Sequence, residues 1–201
     1  MSDGDYFAHV SEDGRKESVL KHLSEVAGMA AGFARGFGGF SWAYAAGMLH
    51  DIGKYSDEFQ RRLAGGPKVD HATAGAYVAS QMGLAPLAYC VVGHHGGLPD
   101  GGNAGDMGTT LLGRLEKADQ GFIPSFEAYR GEVALPSPGP MPIAFDQTRM
   151  GDASYRKSLY FSIALFVRMV FSCLVDADYL CTERFMRGVE RPELSGTSPL
   201  V

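Results

Sequence analysis

Apolar side chains return every three or four residues along most of this chain and nowhere alternate convincingly with polar ones, so the sequence points to an all-α core. The clearest run is Val19, Leu23, Val26, Ala27, Ala30, Phe33 and Phe37, stopped by Gly38-Gly39, which predicts a first long helix. The same spacing predicts helices over 41–51, 56–63, 72–82, 86–94, 107–117 and 155–186. The most apolar stretch, 159–175, carries Arg168 at its centre and several serines, which suits a buried helix better than a bilayer span. With 201 residues, 45% of them apolar, one sizeable core is expected, in a single domain over 1–190 with a tail or linker at 191–201. Residues 121–151 differ: Pro124, Pro136, Pro138, Pro140 and Pro142 with interspersed glycines break regular structure and predict a loop insertion at the surface.

The formal net charge of -5 argues against a protein that holds nucleic acid mainly through a general basic surface, because Lys and Arg on phosphates supply most non-specific affinity. A nucleic-acid substrate would be held locally, or by a partner. Cys90, Cys173 and Cys181 lack any paired spacing, so they read as reduced, mostly buried thiols. The acidic start Met1-Ser2-Asp3-Gly4-Asp5 has neither the positive nor the apolar region of a secretory signal, and a cytoplasmic location with no membrane partner is expected.

Five of the six histidines stand in or beside these helical runs. His22 falls on the apolar face of the first helix; His50-Asp51 closes the run Tyr44, Ala45, Met48, Leu49; His94-His95 closes Leu87, Ala88, Val91, Val92 and opens into Gly96-Gly97. His71 follows Asp70, which resembles a helix N-cap. Imidazole is the commonest transition-metal ligand, and a carboxylate beside it can bridge two ions. Taken singly, a His-Asp dipeptide is more often a hydrogen-bonded surface pair and His71 more often part of a helix start; their company favours a metal site. His9, in the polar N-terminal segment, reads as a non-ligand near the mouth of that site.

The late helix offers Asp176 and Asp178, of which one would face the cluster. Counting back from Asp178 gives Leu174, Phe171, Val167, Ile163 and Tyr160, an apolar stripe on which a carboxylate is costly unless paired or metal-bound. That favours Asp178, with Asp176 the competitor. Lys54 lies a turn beyond His50-Asp51 and could place its ammonium on a substrate phosphate; Thr73 suits a helix start better than phosphate donation. Arg61, Arg62, Lys68, Arg114 and Lys117 are candidates for a local basic rim, although charged runs are more often solvated faces. Phe7, Phe37, Phe40, Trp42 and Tyr55 read as packing residues rather than base-stacking platforms.

The order His22, His50-Asp51, His71, His94-His95 and a late Asp resembles the HD phosphohydrolase superfamily. Within it, "HDIGKYSDEFQRRL" from His50, "DHATAGA" from Asp70, "GHHGGLPD" from Gly93 and "LVDADYLCTE" from Leu174 resemble the HD nuclease of type I CRISPR systems, which occurs alone or fused ahead of a helicase. Cys181 stands where many relatives carry an acidic residue, and the Pro-rich insertion matches no family motif. The resemblance implies an all-helical HD-domain bundle with two divalent ions, one held by His22, His50, Asp51 and Asp178, the other by Asp51, His71, His94 and His95. Two cations about 3.5–4 Å apart can activate a water and clamp phosphate oxygens, so no protein nucleophile is required. The imidazole-rich donor set suits manganese, iron, cobalt or nickel better than magnesium.

The expectation is therefore a metal-dependent nuclease that cleaves single-stranded DNA in CRISPR interference, with Asp51 and Lys54 as its reacting residues. Its partners would be a CRISPR-associated helicase, fused or separate, and a guide-RNA surveillance complex. The alternative enzyme is an HD phosphodiesterase or nucleotidase for small or cyclic nucleotides; the segment beside HHGGLPD lacks the GYP element of the cyclic-dinucleotide branch. A metal-binding or helicase-docking module without activity is the third reading.

Overall fold

The computed structural model describes residues 6–188 except 104 and 107. Seven helices dominate them: α1 (Val19–Phe33), α2 (Phe40–Leu49), α3 (Asp57–Leu63), α4 (Ala72–Gln81), α5 (Ala85–Gly93), α6 (Leu111–Asp119) and α7 (Ala153–Arg187). These fall where the apolar periodicity places them, and polar caps set several starts. Ser18 accepts from the Lys21 amide, Ser56 from Phe59, Thr110 from Gly113, and Asp152 from Ser154 and Tyr155. The first helix is shorter than the periodicity predicts: a 3-10 turn, Ala34–Phe37, follows it, and Gly38 adopts a left-handed backbone at φ 76° before α2 begins.

The central helix is α2, which touches α1, α4, α5 and α7. Trp42, Ala43, Ala45, Ala46, Met48 and Leu49 are all buried, which explains why its sequence shows no polar face. Its C-terminal end meets α4 almost backbone to backbone: a Cβ at Gly75 would collide with the Leu49 carbonyl oxygen and crowd Val91. Gly53, in the 3-10 turn Ile52–Tyr55 that follows α2, lies equally close to the His71 carbonyl. Only glycine permits these approaches, and together they draw His50, Asp51 and His71 into one place.

Three regions differ from expectation. A short antiparallel hairpin, β1 (Phe7–Val10) and β2 (Lys16–Ser18), precedes α1 and pairs His9 with Glu17. Strands of four and three residues are too short to show an alternating pattern. Second, α7 is buried on one face only. Leu159, Phe166, Val170, Cys173, Leu174, Ala177 and Cys181 enter the core, whereas Tyr160, Phe161, Leu165, Met169 and Tyr179 are exposed. By length and composition alone this helix could cross a membrane, with 28% of its most apolar 18-residue window buried, yet its inner face packs on α1, α2 and α5. Its nearly uniform apolarity left only a slight phase from which to tell the faces apart.

Third, residues 121–151 form a strap rather than a simple surface loop. Phe126, Tyr129 and Val133 join the core, and Tyr55 Oη donates to Glu132 Oε2 at 2.7 Å. Ser41 Oγ donates to the Pro138 carbonyl at 2.7 Å and Trp42 Nε1 to that of Pro140 at 3.5 Å. Proline ends regular structure, but its carbonyl still accepts, and here it serves donors at the start of α2. Cys90, Cys173 and Cys181 are free and buried.

Candidate metal centre

A helix end leaves its last carbonyls without helical partners, and two of the histidines exploit this. At the end of α2, His50 Nδ1 lies 2.8 Å from the Gly47 carbonyl; at the end of α5, His94 Nδ1 lies 2.6 Å from that of Val91. His71, just before α4, has Nδ1 3.2 Å from the Val69 carbonyl. A carbonyl can only accept, so each Nδ1 carries a proton and each Nε2 is aimed away from it. All three Nε2 atoms point to Asp51.

Asp51 is 1% exposed, and its two oxygens divide the histidines between them. Oδ1 lies 3.4 Å from His71 Nε2 and 3.4 Å from His94 Nε2; Oδ2 lies 3.3 Å from His50 Nε2 and 3.5 Å from His22 Nε2. Asp178 reaches in from α7, with Oδ1 3.3 Å from His22 Nε2 and 3.7 Å from His50 Nε2. His95 Nε2 is 2.7 Å from His71 Nε2. The chain thus brings all seven predicted ligands into two groups that share Asp51: His22, His50, Asp51, Asp178 and Asp51, His71, His94, His95, each with donor atoms within 4.8 Å of one another. Asp176 points elsewhere and lines a surface cavity with Phe33, Tyr179 and Leu180. The stripe used to choose Asp178 leaves the core at Tyr160, which is 57% exposed, so Asp178 sits at the inner end of a stripe that is only partly buried.

Electrostatics separates the two groups. Burial alone would depress His22, but the neighbouring carboxylates of Asp178, Asp51 and Glu17 outweigh it and hold the imidazole up to about 10. Burial likewise opposes charge on His50, and Asp51 and Asp178 raise it to about 9. Burial would push the Asp51 carboxyl up, yet Lys54, His50 and His22 keep it well below the usual carboxylate range. Asp178 is lowered in the same way: His22 and His50 overcome its burial. In the other group, burial and the neighbouring His94 push His95 down to about 4, and burial lowers His71.

The donor set fits divalent cations. Asp51 Oδ1 and His94 Nε2 are buried and neither has an aligned hydrogen bond, while Asp51 Oδ2 is met by the Lys54 ammonium at 2.7 Å. Orphaned buried acceptors carry a desolvation cost that an ion would remove. Two imidazole Nε2 atoms facing each other at 2.7 Å, as in His71 and His95, are also the arrangement expected of lone pairs converging on a cation.

Lys54 is 4% exposed and turned inward: its Nζ lies 2.7 Å from Asp51 Oδ2, 3.4 Å from the Ala8 carbonyl and 3.4 Å from His9 Nε2. Thr73 is turned back to the helix start, its amide and Oγ1 donating to the capping Asp70 carboxylate at 3.2 and 2.8 Å. Two cavities flank the pair His71 and His95. One, of about 320 Å³, is lined by His9, Lys54, Arg62 and Lys68; the other, of about 370 Å³, by Asp70, Gly96 and Arg114. Of the other rim candidates, Arg61 pairs with Glu58 and Lys117 lies 4.0 Å from Asp70. Sequence reasoning missed the hairpin's contribution. His9 stacks edge-on to His22 with ring centroids 4.7 Å apart, and buried Glu17 lies 3.4 Å from His22 Nδ1. The Asp13-Gly14 dipeptide, a hairpin-turn signal, was the available clue.

No curated protein matches the chain. The HD domain model does match, over residues 19–120, a span that includes His22, His50, Asp51, His71, His94 and His95 and leaves out Asp178 and the hairpin. Since that match covers more than half of the sequence and holds six of the seven clustered donors, the chain belongs to the HD domain family, which marks it as a metal-dependent phosphohydrolase.

Proposed function

We propose that the chain is a nuclease that hydrolyses phosphodiester bonds of single-stranded DNA, with His22, His50, Asp51 and Asp178 holding one divalent transition-metal ion and Asp51, His71, His94 and His95 a second. The observation that carries the two-ion part of this reading is the division of Asp51: each oxygen faces a different histidine pair, which would suit a carboxylate shared between two ions. When bound, two such ions lower the pKa of a coordinated water and polarise the phosphate. The imidazole-rich set favours manganese, iron, cobalt or nickel over magnesium.

The chain's own residues orient and hold. Lys54 keeps Asp51 ionised and fixes its rotation, while the Nδ1 contacts of His50, His71 and His94 fix their rings. A strand crossing His71 and His95 would place one flank beside Arg62 and Lys68 and the other beside Arg114. A polynucleotide uses both flanks, whereas a mononucleotide occupies one. With a net charge of -5 the strand would be held locally, by this rim, or by a partner; the motif resemblance implies a CRISPR-associated helicase and a guide-RNA surveillance complex that would expose it during CRISPR interference.

Circular single-stranded DNA and a panel of mono- and cyclic nucleotides, each incubated with the protein in manganese and with EDTA as control, test the reading. Nicking and degradation of the circle in manganese alone are expected. Hydrolysis of nucleotides with the circle untouched would replace it with a nucleotidase or small-nucleotide phosphodiesterase.

A further inference from the structure

Three of the clustered histidines have Nδ1 held by a backbone carbonyl, two or three residues earlier in the chain. His22 cannot use that device. It sits in the first turns of α1, where the carbonyls before it are committed to the helical ladder, whereas His50 and His94 stand at helix ends where the ladder runs out. A different acceptor is needed if His22 is to be held like the others, and one is in place. The hairpin sets Glu17 opposite His9, so both side chains leave the same face and meet His22.

Glu17 is 2% exposed. Its Oε2 and the Nδ1 of His22 are both buried, neither has another hydrogen-bond partner, and they lie 3.4 Å apart. Among the described residues, His22 is the one ion-pair partner of this carboxylate. A carboxylate is not retained in such a place without a compensating contact, because the uncompensated charge costs several kcal/mol. We infer that Glu17 is the positioning residue of His22: it accepts a hydrogen bond from Nδ1–H and thereby turns Nε2 toward the ion shared with His50, Asp51 and Asp178.

The inference rests on the two-ion reading of the cluster. Removing a carboxylate that supports a ligating histidine weakens metal affinity about 10- to 100-fold. Calorimetric titration of the ion-stripped chain with cobalt, for wild type, Glu17→Gln and Glu17→Leu, should show two binding steps. One step weakens by that factor in Glu17→Leu and by less in Glu17→Gln, whose amide oxygen still accepts. His22→Gln should remove the same step and leave the other unchanged. In the zinc-loaded wild type, the His22 Nδ1–H gives a slowly exchanging downfield resonance, which Glu17→Leu loses while its circular dichroism is retained. Identical titrations and an unchanged resonance in both variants would overturn the role of Glu17 while leaving the two-ion site standing. A third bound ion that disappears with Glu17→Gln would overturn it too, by making Glu17 and His9 ligands. Wild type that takes up no ion would defeat the underlying site itself.

Discussion

The two halves of the histidine cluster share one carboxylate and little else. His22 and His50 have fully buried side chains and three carboxylates within reach, whereas His71 is partly exposed, His95 is exposed, and both border open cavities. Protons are drawn to the first half, with His22 held up to about 10 and His50 to about 9, and expelled from the second, with His95 pushed down to about 4. On the proposed two-ion reading, one donor set would build two unlike sites, a deep one suited to a resident ion and an open one where an ion and substrate oxygens would exchange.

The largest effect should come from Asp51, the residue common to both halves. Asp51→Asn is expected to lower hydrolysis about a thousand-fold or more and to abolish uptake of both ions, with helical circular dichroism unchanged. Next, the halves should separate. His50→Ala should lose activity about 100-fold or more and resist rescue by excess manganese, while His71→Ala should lose about 10-fold and recover as manganese is raised. Rates measured against metal concentration decide this, and equal rescue of both variants would break the comparison.

A smaller effect follows from the pKa directions. At pH 7 the deep histidines carry protons that an ion must displace, so affinity there should climb as pH rises from 6.5 towards 9, with proton release detectable by calorimetry in two buffers. The open half, already neutral at His95 and His71, should show little dependence in that range. The sign for stability is opposite. Folded-state values raised above 6.5 stabilise the ion-free chain fully below that pH, and the contribution disappears as pH passes through about 9 to 10, lowering the Tm. Smallest is the rim. Arg62→Ala with Lys68→Ala should raise KM for single-stranded DNA several-fold, leave kcat nearly unchanged, and flatten the salt dependence by about 0.7 per lost phosphate contact. Arg114→Ala should do the same from the other flank, and an effect from one flank only would shorten the strand path.

The helices were legible because apolar recurrence is local, and five histidines stood out because they end or interrupt apolar runs, but their grouping with Asp51 and Asp178 came from the motif resemblance. Asp178 could be preferred over Asp176 from its stripe alone, although the outer end of that stripe is solvent-exposed. What escaped was set by tertiary contact. Glu17 stands in the polar run Glu12-Asp13-Gly14-Arg15-Lys16-Glu17-Ser18, which reads as solvated, and nothing local reveals that pairing with His9 buries it against His22. The strap over 121–151 escaped for a related reason, since its buried Phe126, Tyr129 and Val133 lie among prolines and glycines that mask any period. The inward turn of Lys54 follows from the burial of Asp51 and is likewise invisible in the sequence.

Asp51 stands where it would join two ion sites. A manganese-soaked crystal with anomalous diffraction tests it most directly. Two anomalous peaks about 3.5–4 Å apart are expected, one against each Asp51 oxygen, with His22, His50 and Asp178 around the first and His71, His94 and His95 around the second. A single peak, or two peaks of which one lies away from Asp51, would contradict it.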